Sequence, residues 1–185
     1  MSTAAKRATL DDLYRTEGKA ELIGGKVVEY MSTGIRPSEV ASNIYVSLRA
    51  YSQRTGRGRA FNDNLGYANP ELPSGRESFS PDASYYEGPL PTNLMRFVEG
   101  PPTFAVEVRS EDDYTPSAEV EIVAKRADYF AAGTLVVWDV DPVAETVACY
   151  RSAAPDQPMF YRRGDVADAE PAVPGWRVDA AEVFA

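Results

Sequence analysis

The sequence contains no histidine among its 185 residues. This absence excludes Ser-His-Asp triads, histidine general bases and metal sites that depend on imidazole ligands. A catalytic site in this chain therefore has to be built from carboxylates, lysine, tyrosine, serine or a metal ion that prefers oxygen ligands.

Cysteine is almost as scarce. The single cysteine, Cys149, excludes an intramolecular disulfide framework and a zinc site made of several cysteines. It lies in TVACYR, a segment with the pattern of a strand. We therefore predict that Cys149 is a small buried side chain rather than a reactive thiol.

Long apolar runs are absent too. No run approaches the roughly 20 residues that a helix needs to cross a bilayer, and the start MSTAAKRATLDD lacks the apolar segment of a signal peptide. We expect a cytoplasmic protein with no membrane association. The length favours a single domain over residues 1–185.

Positive charge is in deficit overall but not everywhere. The net charge of −9 argues against nucleic-acid binding through total charge. Residues 1–60, however, contain ten Lys and Arg against six Asp and Glu, whereas residues 61–185 contain nine against 22. The basic excess concentrates in RAYSQRTGRGR, where Arg54, Arg57 and Arg59 form either a solvated helix end and loop or a surface that faces phosphates.

The first sixty residues predict helices around a hairpin. Thr9 is a candidate cap of a short helix, and Gly24-Gly25 is a two-residue turn between two strand-like runs in AELIGGKVVEYM. Ser38 is a candidate cap of a second helix. Four apolar residues recur in that helix at near-helical spacing and predict one buried stripe: Val40, Ile44, Leu48 and Tyr51.

The rest of the chain predicts strands with one intervening helix. TFAVEVRS alternates, so that Phe104, Val106 and Val108 point one way while Glu107 and Arg109 point the other. The next helix covers roughly 117–132, stops at Gly133 and carries four small apolar residues on one side: Val120, Ala124, Ala127 and Ala131. TLVVWDV is typical of a strand covered on both faces. The fold class is therefore mixed α/β, a central mixed sheet flanked by helices with an N-terminal helix and hairpin.

Four polar residues are candidates for chemistry, and each has a simpler explanation. Asp82 follows Pro81 and suits a turn. Glu21 suits an exposed strand position, and Glu107 suits an exposed strand face, paired with Arg109. Lys125 lies four residues after Glu121, the spacing of a helical ion pair.

The combination of these residues favours a functional site. A Pro-Asp at a strand edge and a glutamate 25 residues later in a second strand can bring two carboxylates together. Two such groups suit Mg²⁺, which takes oxygen ligands and retains several waters. A nearby lysine could orient a water or stabilise charge on a phosphate.

Four ordered segments resemble the Uma-two family, a bacterial group of endonucleases in the PD-(D/E)xK nuclease superfamily. They are TLDDLYRTEGKAELIGGKVVEYM, SPDASYY, GPPTFAVEVRS and KRADYFAAGTLVVWDVDP. The resemblance implies a restriction-endonuclease-like core and a Mg²⁺-dependent enzyme, with Mn²⁺ as a substitute, that cleaves DNA phosphodiester bonds. A homodimer is also expected, because cleavage of both strands favours two-fold symmetry.

The same resemblance assigns roles to individual residues. Asp82 is the motif aspartate and Glu107 the motif acidic residue, and both would hold the metal with the main-chain carbonyl of Val108. The superfamily lysine would fall where this chain has Arg109, a poor base, so the lysine would come from the following helix as Lys125. Glu21 would be a further acidic catalytic residue, and the basic cluster Arg54, Arg57 and Arg59 could contact the DNA backbone.

Two departures motivate alternatives from other classes. A histidine that related sequences carry near the start of the second helix is missing, and EDDYTPSAEVE is unusually acidic for a DNA-facing segment. The chain could therefore be an inactive nuclease-fold protein that acts as a nucleic-acid or protein interaction module, or a carboxylate-rich metal-binding protein. The pair Asp139 and Asp141 in WDVDP resembles a metal-ligand pair, but we interpret it as a strand that ends in an Asp-Pro turn.

Overall fold

The computed structural model describes residues 7–185. Residues 1–6, the beginning of the segment in which we predicted no signal peptide, lie outside the described residues. The helices are α1 (Leu10–Leu13), α2 (Ile35–Thr55), α3 (Pro116–Ala132) and α4 (Ala180–Val183), and a 3-10 turn covers Glu111–Tyr114. The strands are β1 (Ala20–Ile23), β2 (Lys26–Glu29), β3 (Arg59–Asn62), β4 (Tyr67–Ala68), β5 (Ser78–Phe79), β6 (Ala83–Tyr86), β7 (Val98–Glu99), β8 (Phe104–Val108), β9 (Val136–Asp141), β10 (Thr146–Arg151), β11 (Ala154–Arg162), β12 (Val166–Asp168) and β13 (Arg177–Asp179).

A six-stranded mixed sheet with the order β11-β10-β9-β8-β6-β3 carries the main core. Strands β8 and β9 are parallel, and every other neighbouring pair in this sheet is antiparallel. The parallel pair needs a crossover connection, which α3 supplies. The sheet therefore confirms the predicted mixed α/β class.

Helix α2 packs on one face of this sheet. Its stripe of Val40, Ile44, Leu48 and Tyr51 is buried, as the spacing predicted. Phe104, Val106 and Val108 of β8 face the same layer. The C-terminal segment closes the layer with Trp176, whose ring lies 5.2 Å from that of Trp138 on β9. Because these apolar residues of β8 are buried on the α2 side, the alternate residues of the strand, including Glu107, lie on the opposite face of the sheet.

Helix α3 packs on the opposite face and ends at Gly133, which has φ +112° as a left-handed cap. Tyr129 is the buried residue of this helix, and its ring stacks on Phe79 at 4.2 Å. The small apolar residues that share one side of the helix face solvent, with Val120 68% exposed. The inward side instead carries Lys125 and Tyr129 toward the sheet.

The hairpin β1–β2 attaches beside the main sheet. Gly24 and Gly25 both have positive φ, as the predicted two-residue turn requires. The main chain of Leu22 joins the start of β5 and the residue before it, since its N–H donates to Ser78 Oγ at 2.8 Å and its carbonyl accepts from Glu77 N at 2.8 Å. These bonds carry the neighbouring residue Glu21 into the interior.

One predicted boundary is wrong. Helix α2 begins at Ile35 after Gly34, so Ser38 lies inside the helix and does not cap it. Pro37 occupies the first turn, where its missing N–H leaves no intrahelical bond unmade.

Two further expectations concern single features. The Cys149 side chain is fully buried, as predicted, and burial raises the pKa of its thiol to about 11. Within residues 7–185, none of the helices combines the length and the apolar character that crossing a bilayer requires.

Candidate active site

A cluster of charged side chains lies at the start of β6, against β8, α3 and the β1–β2 hairpin. Four of its members are the residues that we predicted from the sequence: Glu21, Asp82, Glu107 and Lys125.

Asp82 directly precedes β6 and forms hydrogen bonds with the two residues of β8 that flank Glu107. Its backbone N–H donates to the Val106 carbonyl at 3.0 Å, and its Oδ2 accepts from the Val108 N–H at 2.7 Å. Its Oδ1 accepts from Lys19 Nζ at 2.6 Å. The residue therefore lies at the start of a strand, where turn residues are common, and it also fixes a carboxylate beside the second acidic residue.

Glu107 projects from β8 on the face that α3 covers. Lys125 Nζ donates to its Oε2 at 2.8 Å, and Tyr129, one helical turn later, donates to its Oε1 at 2.6 Å. Burial raises the pKa of Glu107, and the charges of Asp82 and Glu21 act in the same direction against Lys125 and Lys19. The expected alternative, an exposed Glu107 paired with Arg109, is wrong.

Glu21 is completely buried and its two oxygens accept four donors. Oε1 receives the Ser80 N–H at 2.9 Å and faces Lys125 Nζ at 3.1 Å. Oε2 receives the Tyr30 hydroxyl at 3.0 Å and the Arg76 guanidinium. Burial alone would raise the pKa of Glu21, but the charges of Lys125 and Arg76 lower it overall. Glu21 is an internal anion that anchors the cluster's cations.

Lys125 bridges the two glutamates, with Nζ within 3.1 Å of both. Burial would lower its pKa, but Glu107 and Glu21 raise it above the ordinary value. The ammonium is therefore charged at neutral pH and places a fixed positive charge between the two glutamates. The expected alternative, a surface pair with Glu121, is wrong, because the Lys125 side chain is turned inward.

Arg109, at the position of the usual motif lysine, binds acidic residues other than Asp82 and Glu107. It makes a bidentate pair with Asp139 at 2.8 and 2.7 Å and an ion pair with Glu119 at 2.9 Å. Asp139 also lies near Arg126. Asp141 accepts the Val143 N–H in the turn after β9. These partners agree with the interpretation of WDVDP as the end of a strand.

Sequence reasoning missed several members of the cluster. Lys19 is the most informative, because it contacts both Asp82 and Asp63. It lies two residues before Glu21, a spacing that places both on one side of a strand, and this was the available signal. Tyr129 follows Lys125 by one helical turn, which also predicts a shared face. Arg76 lies in an irregular loop and had no such signal.

The predicted DNA-contacting arginines lie apart from the cluster. Arg59 pairs with Tyr86, at the end of the β3–β6 ladder opposite to Asp82, and the four residue steps from Tyr86 to Asp82 correspond to about 13 Å. Arg57 binds the exposed Glu87 at 3.3 Å, and Arg54 lies over the Tyr51 ring. The structure does not bring these residues together with the carboxylates.

The cluster has the donor chemistry of a magnesium site. Asp82, Glu107 and the Val108 main chain are adjacent and offer oxygen ligands, and an internal cation, Lys19, already lies on Asp82. Mg²⁺ is commonly held by one or two carboxylates, with waters and substrate phosphates completing its coordination. No three acidic, histidine or cysteine side chains converge as a metal cluster among residues 7–185. The fit is therefore to a site that uses two carboxylates.

Comparisons with known proteins identify the family. The chain is similar to a crystal structure from Anabaena variabilis, described as a putative nuclease belonging to DUF820, with 19% identity, a TM-score of 0.73 and coverage of 95% of this chain and 97% of that one. At this identity the likeness establishes the fold, which is restriction-endonuclease-like. No curated protein matches the chain. The model of the Uma2 family, described as "Putative restriction endonuclease", matches residues 7–181. Because that match covers nearly the whole sequence, the chain belongs to the Uma2 family.

Proposed function

We propose that this protein is a Mg²⁺-dependent endonuclease that hydrolyses phosphodiester bonds of DNA. The observation that supports this function is the convergence of Asp82, Glu107 and Lys125 in one cluster. The family description points to the same class of reaction. Each acidic group is held by main-chain or side-chain donors, which gives the fixed geometry that electrostatic catalysis needs.

Asp82, Glu107 and the Val108 carbonyl would hold the metal, with Mn²⁺ as a substitute. When bound, the ion would polarise a phosphoryl oxygen and lower the pKa of a bound water. Lys125 would offset negative charge that develops on the phosphate and orient the attacking water. Tyr129 would keep Glu107 in place through its 2.6 Å hydrogen bond.

Glu21 would act as a positioning residue. Its side chain has no exposed surface, so it cannot reach a substrate directly. Its contact with Lys125 at 3.1 Å would keep the ammonium between the two glutamates. We therefore propose that Glu21, which the sequence suggested as a catalytic residue, acts by orienting Lys125.

Arg54, Arg57 and Arg59 would contact DNA phosphates away from the cleaved bond, because Arg59 lies at the end of the β3–β6 ladder far from Asp82 and the other two precede it in the chain. A homodimer would present two sites to opposite strands. We further propose that the protein is cytoplasmic and that residues 1–185 form one domain.

A second candidate function is an inactive nuclease fold that serves as a nucleic-acid or protein interaction module. One observation favours it. Arg109 replaces the motif lysine and is locked to Asp139 and Glu119. On this account the carboxylates and lysines are a buried ion network that stabilises the fold.

Plasmid cleavage separates the two functions. We expect purified protein to nick supercoiled DNA with Mg²⁺ or Mn²⁺ and not with EDTA. Asp82→Asn should reduce the rate by at least about 100-fold, the scale of a lost electrostatic group. The matched control is Asp156→Asn, since Asp156 is exposed on β11 and its loss should leave the rate unchanged.

Nicking that persists in Asp82→Asn refutes the assigned site. DNA binding without cleavage of any nucleic acid supports the interaction module, and thermal stabilisation by metal without a DNA mobility shift supports a metal-binding protein alone.

A further inference from the structure

Lys19 has contacts that neither the family motif nor the proposed mechanism uses. Its Nζ lies 2.6 Å from Asp82 Oδ1 and also contacts Asp63 Oδ1. The side chain is only 20% exposed, so this bridge is partly shielded from solvent. An ammonium in this position neutralises the same carboxylate that would bind a metal.

Three separate segments hold the bridge in place. Lys19 directly precedes β1, and its carbonyl accepts the Tyr30 N–H at 2.9 Å at the base of the hairpin. Asp63 directly follows β3, and Asp82 directly precedes β6. The lysine is therefore placed by the fold of the hairpin and is not a long surface side chain that happens to reach an acid.

The two oxygens of Asp82 are not equivalent. Oδ2 accepts the Val108 N–H at 2.7 Å, a bond that ties Asp82 to β8. Oδ1 is the oxygen that Lys19 contacts. We expect a divalent cation at Asp82 to take Oδ1, since Oδ2 is tied to the β8 main chain, and an ammonium on Oδ1 would repel the ion.

We propose that Lys19 is the internal counter-ion of the metal site and that it competes with a divalent cation for Asp82 Oδ1. When the cation binds, the lysine releases Asp82 and remains held by Asp63. This inference rests on the proposed function, because it assumes that Asp82 binds metal.

The surroundings give the ammonium both a second partner and room to move. The Asp63 side chain is 47% exposed, so it can retain the lysine close to solvent. A cavity of about 150 Å³ adjoins the bridge and is lined by Lys19, Asp63, Gly18, Ser80 and Phe97, among others. A shift of the side chain into this space needs no movement of the strands.

Metal affinity tests the competition. We expect Lys19→Met to bind Mn²⁺ about tenfold more tightly than the unmodified protein in calorimetric titration, because the metal no longer has to displace a cation. Lys19→Arg keeps the positive charge and should bind close to the unmodified protein. Lys26→Met is the matched control, since Lys26 is exposed on the same hairpin and its loss changes the net charge equally.

A second measurement uses the unmodified protein and does not depend on whether a variant folds. Lys19 should be reductively methylated several-fold faster in Mg²⁺ than in EDTA, as peptide mass spectrometry would report, whereas Lys26 should be methylated at the same rate in both. A rate for Lys19 that is unchanged by a metal that binds would overturn the inference.

The failure of this inference differs from the failure of the proposed function. If Lys19→Met and the unmodified protein bind Mn²⁺ with equal affinity, Lys19 is not a competitor and the metal site stands. If neither protein binds Mn²⁺, the metal site itself is wrong, and the inference falls with it.

Discussion

Replacing Glu21 by glutamine tests how strongly the buried carboxylate stabilises the cluster. The glutamine has nearly the same shape but no charge. It keeps one acceptor oxygen and turns an NH₂ group toward donors that the carboxylate had satisfied. We therefore expect Glu21→Gln to lower the free energy of unfolding.

The size of this effect follows from the partners that remain. Removing one member of a buried ion pair costs about 3–5 kcal/mol, because the other charge is left uncompensated. In this cluster Arg76 retains Asp128 at 2.9 Å, and Lys125 retains Glu107 at 2.8 Å. This partial compensation places the expected loss near the lower limit, about 3 kcal/mol, which is a large share of a typical total stability of about 5–15 kcal/mol.

The loss should also depend on pH. The folded structure lowers the pKa of Glu21 below its ordinary value of 4.5. A carboxylate with a lowered pKa stabilises the fold above its unfolded pKa, and this contribution disappears as the pH falls through the folded pKa. The difference between Glu21→Gln and the unmodified protein should therefore be full at pH 7 and shrink below about pH 4.5.

Urea unfolding, followed by circular dichroism at pH 7 and at descending pH, measures both effects. Glu29→Gln is the matched control, since Glu29 is exposed on the same hairpin, and a surface change of this kind is usually within about 0.5 kcal/mol. A loss below about 1 kcal/mol for Glu21→Gln, or one that grows toward acid pH, would refute the reasoning about buried charge.

Two further changes test the supports of the site. Tyr129→Phe should lower the free energy of unfolding in urea by about 1–3 kcal/mol, because Glu107 loses a 2.6 Å hydrogen-bond donor in a shielded position. The ring can still stack on Phe79, so an unchanged urea midpoint would mean that the hydroxyl does not stabilise the fold. Trp138→Ala should lower the free energy of unfolding by about 3–5 kcal/mol, since the indole is fully buried between Phe104 and Trp176. A decrease of less than about 2 kcal/mol would indicate that the neighbouring side chains repack into the space.

The strands of the central sheet were largely predictable from the sequence, because each carries a local signal. The alternation in TFAVEVRS identifies which residues of β8 share a face, and the continuous run TLVVWDV identifies a strand covered on both sides. The stripe on α2 repeats at the helical period. These apolar patterns are visible in the sequence because they depend only on which face of each strand or helix packs against the core.

The partners within the site were not predictable in the same way. On α3 the small apolar residues face solvent, while Lys125 points inward to two carboxylates. From the apolar pattern alone, one would expect the side of α3 with the small apolar residues to be buried. That pattern contains no information about acidic partners elsewhere in the chain, which are what allow a charged residue to be buried. The contacts of Lys19 with Asp63 and Asp82 likewise join positions far apart in sequence.

The residue assignments rested on resemblance rather than on periodicity. Asp82 looked like a turn residue, and it does directly precede a strand. Its contacts with Val108 and Lys19 are what distinguish it from an ordinary turn aspartate.

Anomalous diffraction from crystals that contain Mn²⁺ tests the central claim most directly, because it locates the ion relative to named oxygens. We predict one peak in contact with Asp82 Oδ1 and a carboxylate oxygen of Glu107, with Lys19 retained by Asp63 alone. The absence of a peak at these carboxylates at saturating Mn²⁺, with Lys19 still on Asp82, would contradict the account.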